Sequence, residues 1–411
     1  MAISQLRPKL RPLDIRHHIQ QGQPYFLLRD PQKITVQTLL VPQAFGPLLA
    51  LCDGTHDLDQ MALLFRHKVG VPVDSSLVAE LLTVLDDALL LENERFHTAY
   101  QAVVEAFRTA PHRPPSLAGL SYPREPQLLW RHLQDYLEAV ADVDPVTVDW
   151  THPLGMLSPH IDYERGGDVY AQIWKRAAQV AREAELVVIL GTDHYGSDPF
   201  TLTRQNYATP YGTLPTAQPI VDALATVIGE EAAFAGELRH RGEHSLELVA
   251  VWLHHMRAGV ACPLVPILCG GFHRFFYNGE HPKSDPLTQQ VIATLRAAIG
   301  NQRTLVIASG DLAHVGPAFG GNPLTTNSRT QLRQADEELL SHMCAGDAEA
   351  FFSAIRRVKD GNNVCGVAPI YLTMQSVGAA RGEQFGYATC PADDTNTSAV
   401  TVGGVLFHGQ P

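Results

Sequence analysis

Four short apolar runs constrain this chain more than any other feature: VTVDWTHPLGML, ELVVILG, PLVPILC and TLVIAS are rich in β-favouring residues, and each stops at a polar cluster or glycine pair. Runs that are apolar throughout, without alternation, belong to strands buried on both faces, and that burial requires covering helices. The fold class is therefore α/β, with a mainly parallel central sheet and flanking helices. In open sheets of this kind ligands collect beyond the carboxyl ends of the strands. The four ends deliver His160, then Asp193 and His194, then Gly270 and Gly271, then Ser309, Asp311 and His314. The expected topology brings these distant clusters to one cleft.

The Pro-rich stretch TAPHRPPSLAGLSYPREP, from Thr109 to Pro126, divides the chain, giving expected domains at 1–110 and 111–411. In the first, YFLLRD and ITVQTLLV have strand character. Helical spacing follows, with Gly54 as a stop and Thr55 or Asp57 as the next cap. A small winged-helix-like domain is expected. From Phe45 to Asn93 it resembles the PqqD-like peptide-recognition fold, which implies a leader peptide held along a strand edge. The residues fit equally a helical module that packs on the main domain.

Several function classes drop out on composition. A net charge of -12, from 43 acidic against 31 basic residues, disfavours nucleic-acid and anionic-membrane partners. No apolar run reaches the length of a membrane span, and the start MAISQLRPKLRPLDIRHH lacks the apolar core of a signal peptide, so a cytoplasmic protein is expected. Cys52, Cys262, Cys269, Cys344, Cys365 and Cys390 show no CxxC spacing, which disfavours a zinc ribbon and reads as buried thiols. Walker loops and a full GxGxxG are absent, so no nucleotide cofactor is expected.

Histidine is the unusual component, at 19 residues. A lone histidine is usually a surface or hydrogen-bonded core residue, and His254 and His255 read as decoration of a helix face. His160 and His194 at strand ends, with His244 at the start of the HSLELVAVWLHHM helix, make a set that suits iron, copper or zinc. Glu243 and Glu247 flank that helix start; either can orient His244, and simple capping is the expected role of Glu247.

At these residues the chain resembles the Memo family, whose members share the fold of class III extradiol dioxygenases and include AmmeMemoRadiSam system protein B. RPPSLAGLSYP, SPHIDY, LGTDHYG, NYATPYGTL, EHSLE, SGDLAHVG, CGVAPI and TSAVTVGGVLF match its ordered motifs over about three quarters of the chain. The resemblance implies a metal pocket with His160 and His194 as ligands, His244 as the catalytic histidine and Tyr163 on the pocket wall. Asp193 and Glu243 are expected to touch substrate or hold a ligand from behind. Two departures stand out. Ala313 occupies the place where the resemblance expects a metal-binding cysteine in S-D-x-C-H, which leaves Asp311 or His314 as the third ligand, with a distant cysteine ranked behind them. Asp162 replaces a glycine of PHxGY, either to orient His160 or to satisfy loop backbone donors.

Two histidines and a carboxylate would favour ferrous iron, with copper or zinc as alternatives. The expected activity is oxidation of a small-molecule or peptide substrate, with His244 moving a proton. The rival readings are a non-catalytic peptide-binding scaffold, which the missing cysteine favours, and metal-assisted hydrolysis. A radical SAM or peptide-modifying protein is the expected partner.

Overall fold

The computed structural model describes residues 7–70, 74–144, 146, 150–300 and 302–409. Residues 1–6 of the start, together with 145 and 147–149 at the head of the VTVDW run, lie outside that set. The chain divides into two compact units, Met1–Thr109 and Ala110–Pro411. Among the described residues no helix is long and apolar enough to cross a membrane.

In the first unit, strands Asp14–Gln20, Gln23–Arg29 and Leu39–Pro42 form an antiparallel sheet, followed by four α-helices from Gly46 to Thr109. The expected ITVQTLLV strand shortens to its last residues, because the Asp30 carboxylate accepts the Gln32, Ile34 and Thr35 amides and curls that stretch into a loop. Asp57 caps Leu58–Val69 through a reciprocal box with Gln60, and Gly70 ends the helix with φ 73°. Leu48, Met61, Phe65, Val78 and Leu85 fill the core beneath. A few such buried side chains, at about 1.5–3 kcal/mol each, hold a module of this size.

In the second unit we number the elements that build the site: β1 (Leu154–Ser158), α1 (Tyr163–Arg176), β2 (Leu186–Thr192), β3 (Phe200–Leu202), α2 (His244–Met256), β4 (Leu264–Cys269), β5 (Thr304–Ser309), β6 (His314–Val315), α3 (Val367–Val377), β7 (Ala379–Pro391) and β8 (Ala399–Gly409). Strands β1, β5, β2 and β4 lie side by side and parallel, as their unbroken apolar sequences require. The antiparallel strands β8 and β3 close the two sides, with β6 and β7 beyond β8. Helices α1 and α2 cover one face with Tyr163, Tyr170, Trp174 and Trp252, and α3 covers the other with Ile370, Tyr371 and Met374.

Candidate metal centre

The register places Ser158, Ser309 and Gly191 level at the carboxyl end of the sheet. The chain leaves β1 through Pro159 to His160, leaves β2 through Asp193 to His194, and leaves β5 through Gly310 to Asp311. Gly191 lets the start of α2 lie directly on the strand end: a Cβ there would stand 2.7 Å from the Ser245 Oγ. His160, His194 and His244 consequently meet, with ring centroids 5.0, 5.3 and 4.5 Å apart.

The donor that joins them is Cys365, whose Sγ lies 3.2 Å from His160 Nε2. His160, His194 and Cys365 each present a ligand atom within 4.8 Å of the others. Gly310 and Gly366 make this approach possible. A Cβ on Gly310 would stand 2.6 Å from the Gly366 Cα, so only two glycines let the loop before α3 settle against the end of β5. Hydrogen bonds from Thr192 Oγ1 to the Cys365 carbonyl (2.9 Å) and from the Gly366 amide to the Asp311 carbonyl (3.0 Å) hold it there.

This arrangement brings a cysteine into the set of candidate donors beside Asp311 and His314. Asp311 is buried and spends Oδ1 on the amides of His160 (2.8 Å) and Ile161 (3.3 Å), bolting two strand ends together, while Oδ2 stands 3.8 Å from His160 Nε2. Asp311 and His314 do form a second donor group with Cys365. Ala313 is core: its amide donates to Thr401 Oγ1 and its carbonyl accepts the Thr401 amide. The signal for Cys365 lay in CGVAPI, a Cys-Gly pair immediately before an apolar helix.

Two residues set the imidazoles for ligation. The Ser309 hydroxyl donates to the Ser245 carbonyl, so it accepts from His160 Nδ1 (3.3 Å) and leaves Nε2 as the free donor atom. Glu243 caps α2 by accepting the Ser245 amide, takes the His194 amide on its other oxygen, and lies 3.0 Å from Nδ1 of both His194 and His244. Both rings therefore turn their Nε2 edges outward. Burial pushes the Glu243 carboxyl up, but His194 and then His244 outweigh it and hold it well below the usual carboxylate range. Burial, then repulsion from His194 and His244, holds the His160 imidazole well below the ordinary histidine range, which favours the neutral form that metal binding requires. Ser309 and Glu243 act through the histidines, and Ser309 had no expected role.

Residues 113–405 match the model of a family described as Memo-like protein, which is well over half of the 411 residues. The chain belongs to the Memo family. A MEMO1 family protein of Aquifex aeolicus is 27% identical over 319 residues, covering 77% of each chain. Another from Archaeoglobus fulgidus is 24% identical over 299 residues, 72% of this chain and 99% of that one, and one from Thermus thermophilus is 27% identical over 293 residues, 69% and 79%.

Around this Memo centre lies a cleft of about 430 Å³. His160, His194, His244 and His314 line it together with Asp162, Arg165 and Asp311 and the apolar Leu117, Ile161, Leu248 and Val400, and its Tyr195 and Phe319 are exposed. A cleft of the same volume at the amino ends of the strands, between Trp150–Pro153 and Gln302–Thr304, has no metal-donor group among the described residues.

Other expected roles change. Tyr163 does not line the cleft: it opens α1, which rotates it into the core, where its hydroxyl donates to the Leu248 carbonyl at 2.7 Å. Asp193 pairs with Arg239 at 2.7 Å and steadies the loop carrying His194 from behind. Asp162 caps α1 through the Arg165 amide and pairs with the Arg165 guanidinium, so it satisfies its own loop and helix. Glu247 does far more than cap. It is buried against Arg113, and accepts the Ser116 and Leu117 amides and the Ser116 and Tyr122 hydroxyls, tying the RPPSLAGLSYP segment to α2.

Burial pushes the Glu247 carboxyl up, and Arg113 with these hydrogen bonds brings it below the ordinary glutamate range. The stability it contributes is present in full above that ordinary range and is lost as pH falls through the lowered value. Glu247→Ala leaves Arg113 buried and unpaired, and is expected to cost about 3–5 kcal/mol, read as a lowered urea midpoint with an unchanged slope.

Proposed function

We propose that His160, His194 and Cys365 hold a divalent transition metal and that this protein is a metal-dependent oxidoreductase acting on a small organic or peptide substrate. The observation that carries the reading is the 3.2 Å approach of Cys365 Sγ to the Nε2 edge of His160, with His194 completing the group. Two imidazoles and a thiolate suit copper and zinc as well as iron, and the thiolate in place of a carboxylate moves the balance from iron toward copper. When bound, iron or copper supplies one-electron redox chemistry and a Lewis-acidic position.

The chain supplies the rest. The apolar lining residues Leu117, Ile161, Leu248 and Val400 offer contacts to the organic part of a substrate. His244, fixed at Nδ1 by Glu243, faces the cleft and moves a proton at Nε2, a role worth about 10²–10⁴-fold in rate. The scaffold reading drew its support from the absent cysteine at position 313, and Cys365 answers that absence. A cytoplasmic setting, a PqqD-like role for the first unit in holding a peptide, and a radical SAM or peptide-modifying partner belong to the same proposal.

Metal analysis of protein loaded anaerobically with iron, copper or zinc tests it. Wild type should retain about one equivalent, with His160→Ala and His194→Ala near background, and substrate screening by oxygen uptake follows. Near-zero metal in all three proteins would sink the metalloenzyme, and partner binding that survives the double variant would favour the scaffold.

A further inference from the structure

We propose that the Asp14–Gln20 strand of the first unit is a homodimer interface, pairing antiparallel with the same strand of a second copy about a two-fold axis at His17. Among the described residues this strand stands at one side of its sheet, and no strand pairs with its outer edge. An open edge presents a row of unpaired N–H and C=O groups, and chains that stay apart blunt such edges with brevity, proline, lysine or a bulge. The other sheet edges among the described residues follow that rule. Leu39–Pro42 is four residues long and ends in proline, and Tyr207–Thr209 and Gly212–Leu214 have three residues each. In the main sheet β3 and β6 have three and two residues, and β7 carries two register shifts. The Asp14–Gln20 strand has seven residues in unbroken register and none of these devices.

The turn fixes which of its groups are free. Gln21 and Gly22 form a two-residue turn with φ 51° and 77°, which makes Gln20 and Gln23 a hydrogen-bonded pair. Alternation along the strand then turns the N–H and C=O of Ile15, His17 and Ile19 outward. Pro24 agrees with this, since it lies opposite Ile19 and its missing N–H is on the side away from the strand.

Those three residues read the same from either end: isoleucine, histidine, isoleucine. With His17 opposite the partner's His17, Ile15 faces the partner's Ile19 on both sides of the axis, and each of the three pairs exchanges two backbone hydrogen bonds. A slide by two residues in either direction sets isoleucine against histidine and loses one of the pairs. Ile15 and Ile19 are 47% and 74% exposed, although they share a face with Phe26 and the fully buried Leu28. Pairing carries that apolar face across the axis, and the His17 ring, 5.1 Å from Phe26, continues a row of rings into the second copy. On the other face Asp14 holds Arg16 at 3.0 Å, so the cation that meets the partner's His18 is already paired.

Sedimentation velocity of the full chain, from micromolar to millimolar concentration, should show monomer passing to dimer. Ile15→Lys with Ile19→Lys sets ammonium groups opposite one another and should raise the dissociation constant about tenfold or more. Ile15→Glu with Ile19→Lys instead puts each carboxylate opposite the partner's ammonium group and should restore it. Both positions are exposed, and circular dichroism checks that each variant is folded. His17→Cys tests the axis: mild oxidation should give a covalent dimer with the bond mapped between the two substituted positions, because opposed residues of such a pair have Cα atoms about 5.5 Å apart, within disulfide reach. A protein that stays monomeric at every concentration, leaving the edge to a strand of another protein, would overturn the interface. So would a dimer that both charge variants leave unchanged, or one that both weaken equally and His17→Cys fails to cross-link.

Discussion

Cys365→Ala is expected to strip the metal from this protein while leaving its fold in place. Cys365 is half-buried, and its loop is held by the Thr192 hydroxyl on the Cys365 carbonyl, the Gly366 amide on the Asp311 carbonyl and the Gly310–Gly366 approach, none of which involves Sγ. Removing one of three donors should lower affinity by more than the roughly 10–100-fold that changes behind the ligands produce. Asp311→Ala is expected to do the reverse. It leaves the His160 and Ile161 amides buried without an acceptor, at about 1–3 kcal/mol each. It therefore lowers the melting temperature first, and affects metal through the displaced His160. Competition titrations with a chelator and thermal melts of the metal-free proteins separate the two. Metal retained at wild-type affinity by Cys365→Ala, and lost by an Asp311→Ala protein that melts normally, would return the third position to the aspartate.

The contrast also marks what sequence reasoning can reach. Strand ends are legible because the apolar runs and their stops are local, and a parallel sheet must collect those ends on one side. His160 and His194 follow from that rule, and His244 with them, since Glu243 and the apolar stripe of α2 mark its position. CGVAPI marks Cys365 only as a Cys-Gly pair before an apolar helix, and its nearness to His160 is not legible from that. Its place depends on the close backbone approach of Gly310 to Gly366, more than fifty residues apart in sequence, and on α3 docking over β5. Tyr163 is misplaced by sequence for a related reason. Three residues after His160 suggests the same pocket, but Asp162 caps α1 there, and the first helical position turns the Tyr163 ring into the core. Glu247 is undervalued because its partners, Arg113, Ser116, Leu117 and Tyr122, lie over a hundred residues upstream.

Glu243→Gln is expected to weaken metal binding by about 10–100-fold without removing a single proposed ligand atom. The wild-type carboxylate accepts from four donors: the Ser245 and His194 amides and the Nδ1–H groups of His194 and His244. A glutamine of the same shape has one accepting oxygen, and its NH₂ faces groups that already donate. With its oxygen kept where the Ser245 amide and both imidazoles already meet, the glutamine turns its NH₂ to the His194 backbone N–H, and that unpaired contact shifts the loop carrying His194. The imidazoles also lose the carboxylate charge that fixes their Nδ1–H form, so the loss should appear as weaker, more slowly loaded metal with near-normal secondary structure. Glu243→Ala goes further, leaving four donors unpaired in a fully buried position, with an expected cost of about 3–5 kcal/mol in stability as well. Nitrogen-resolved NMR of the imidazoles in metal-free protein reads the tautomers directly. Imidazole and His194 amide signals unchanged in Glu243→Gln, together with unchanged metal affinity, would show that the carboxylate caps α2 and does nothing more.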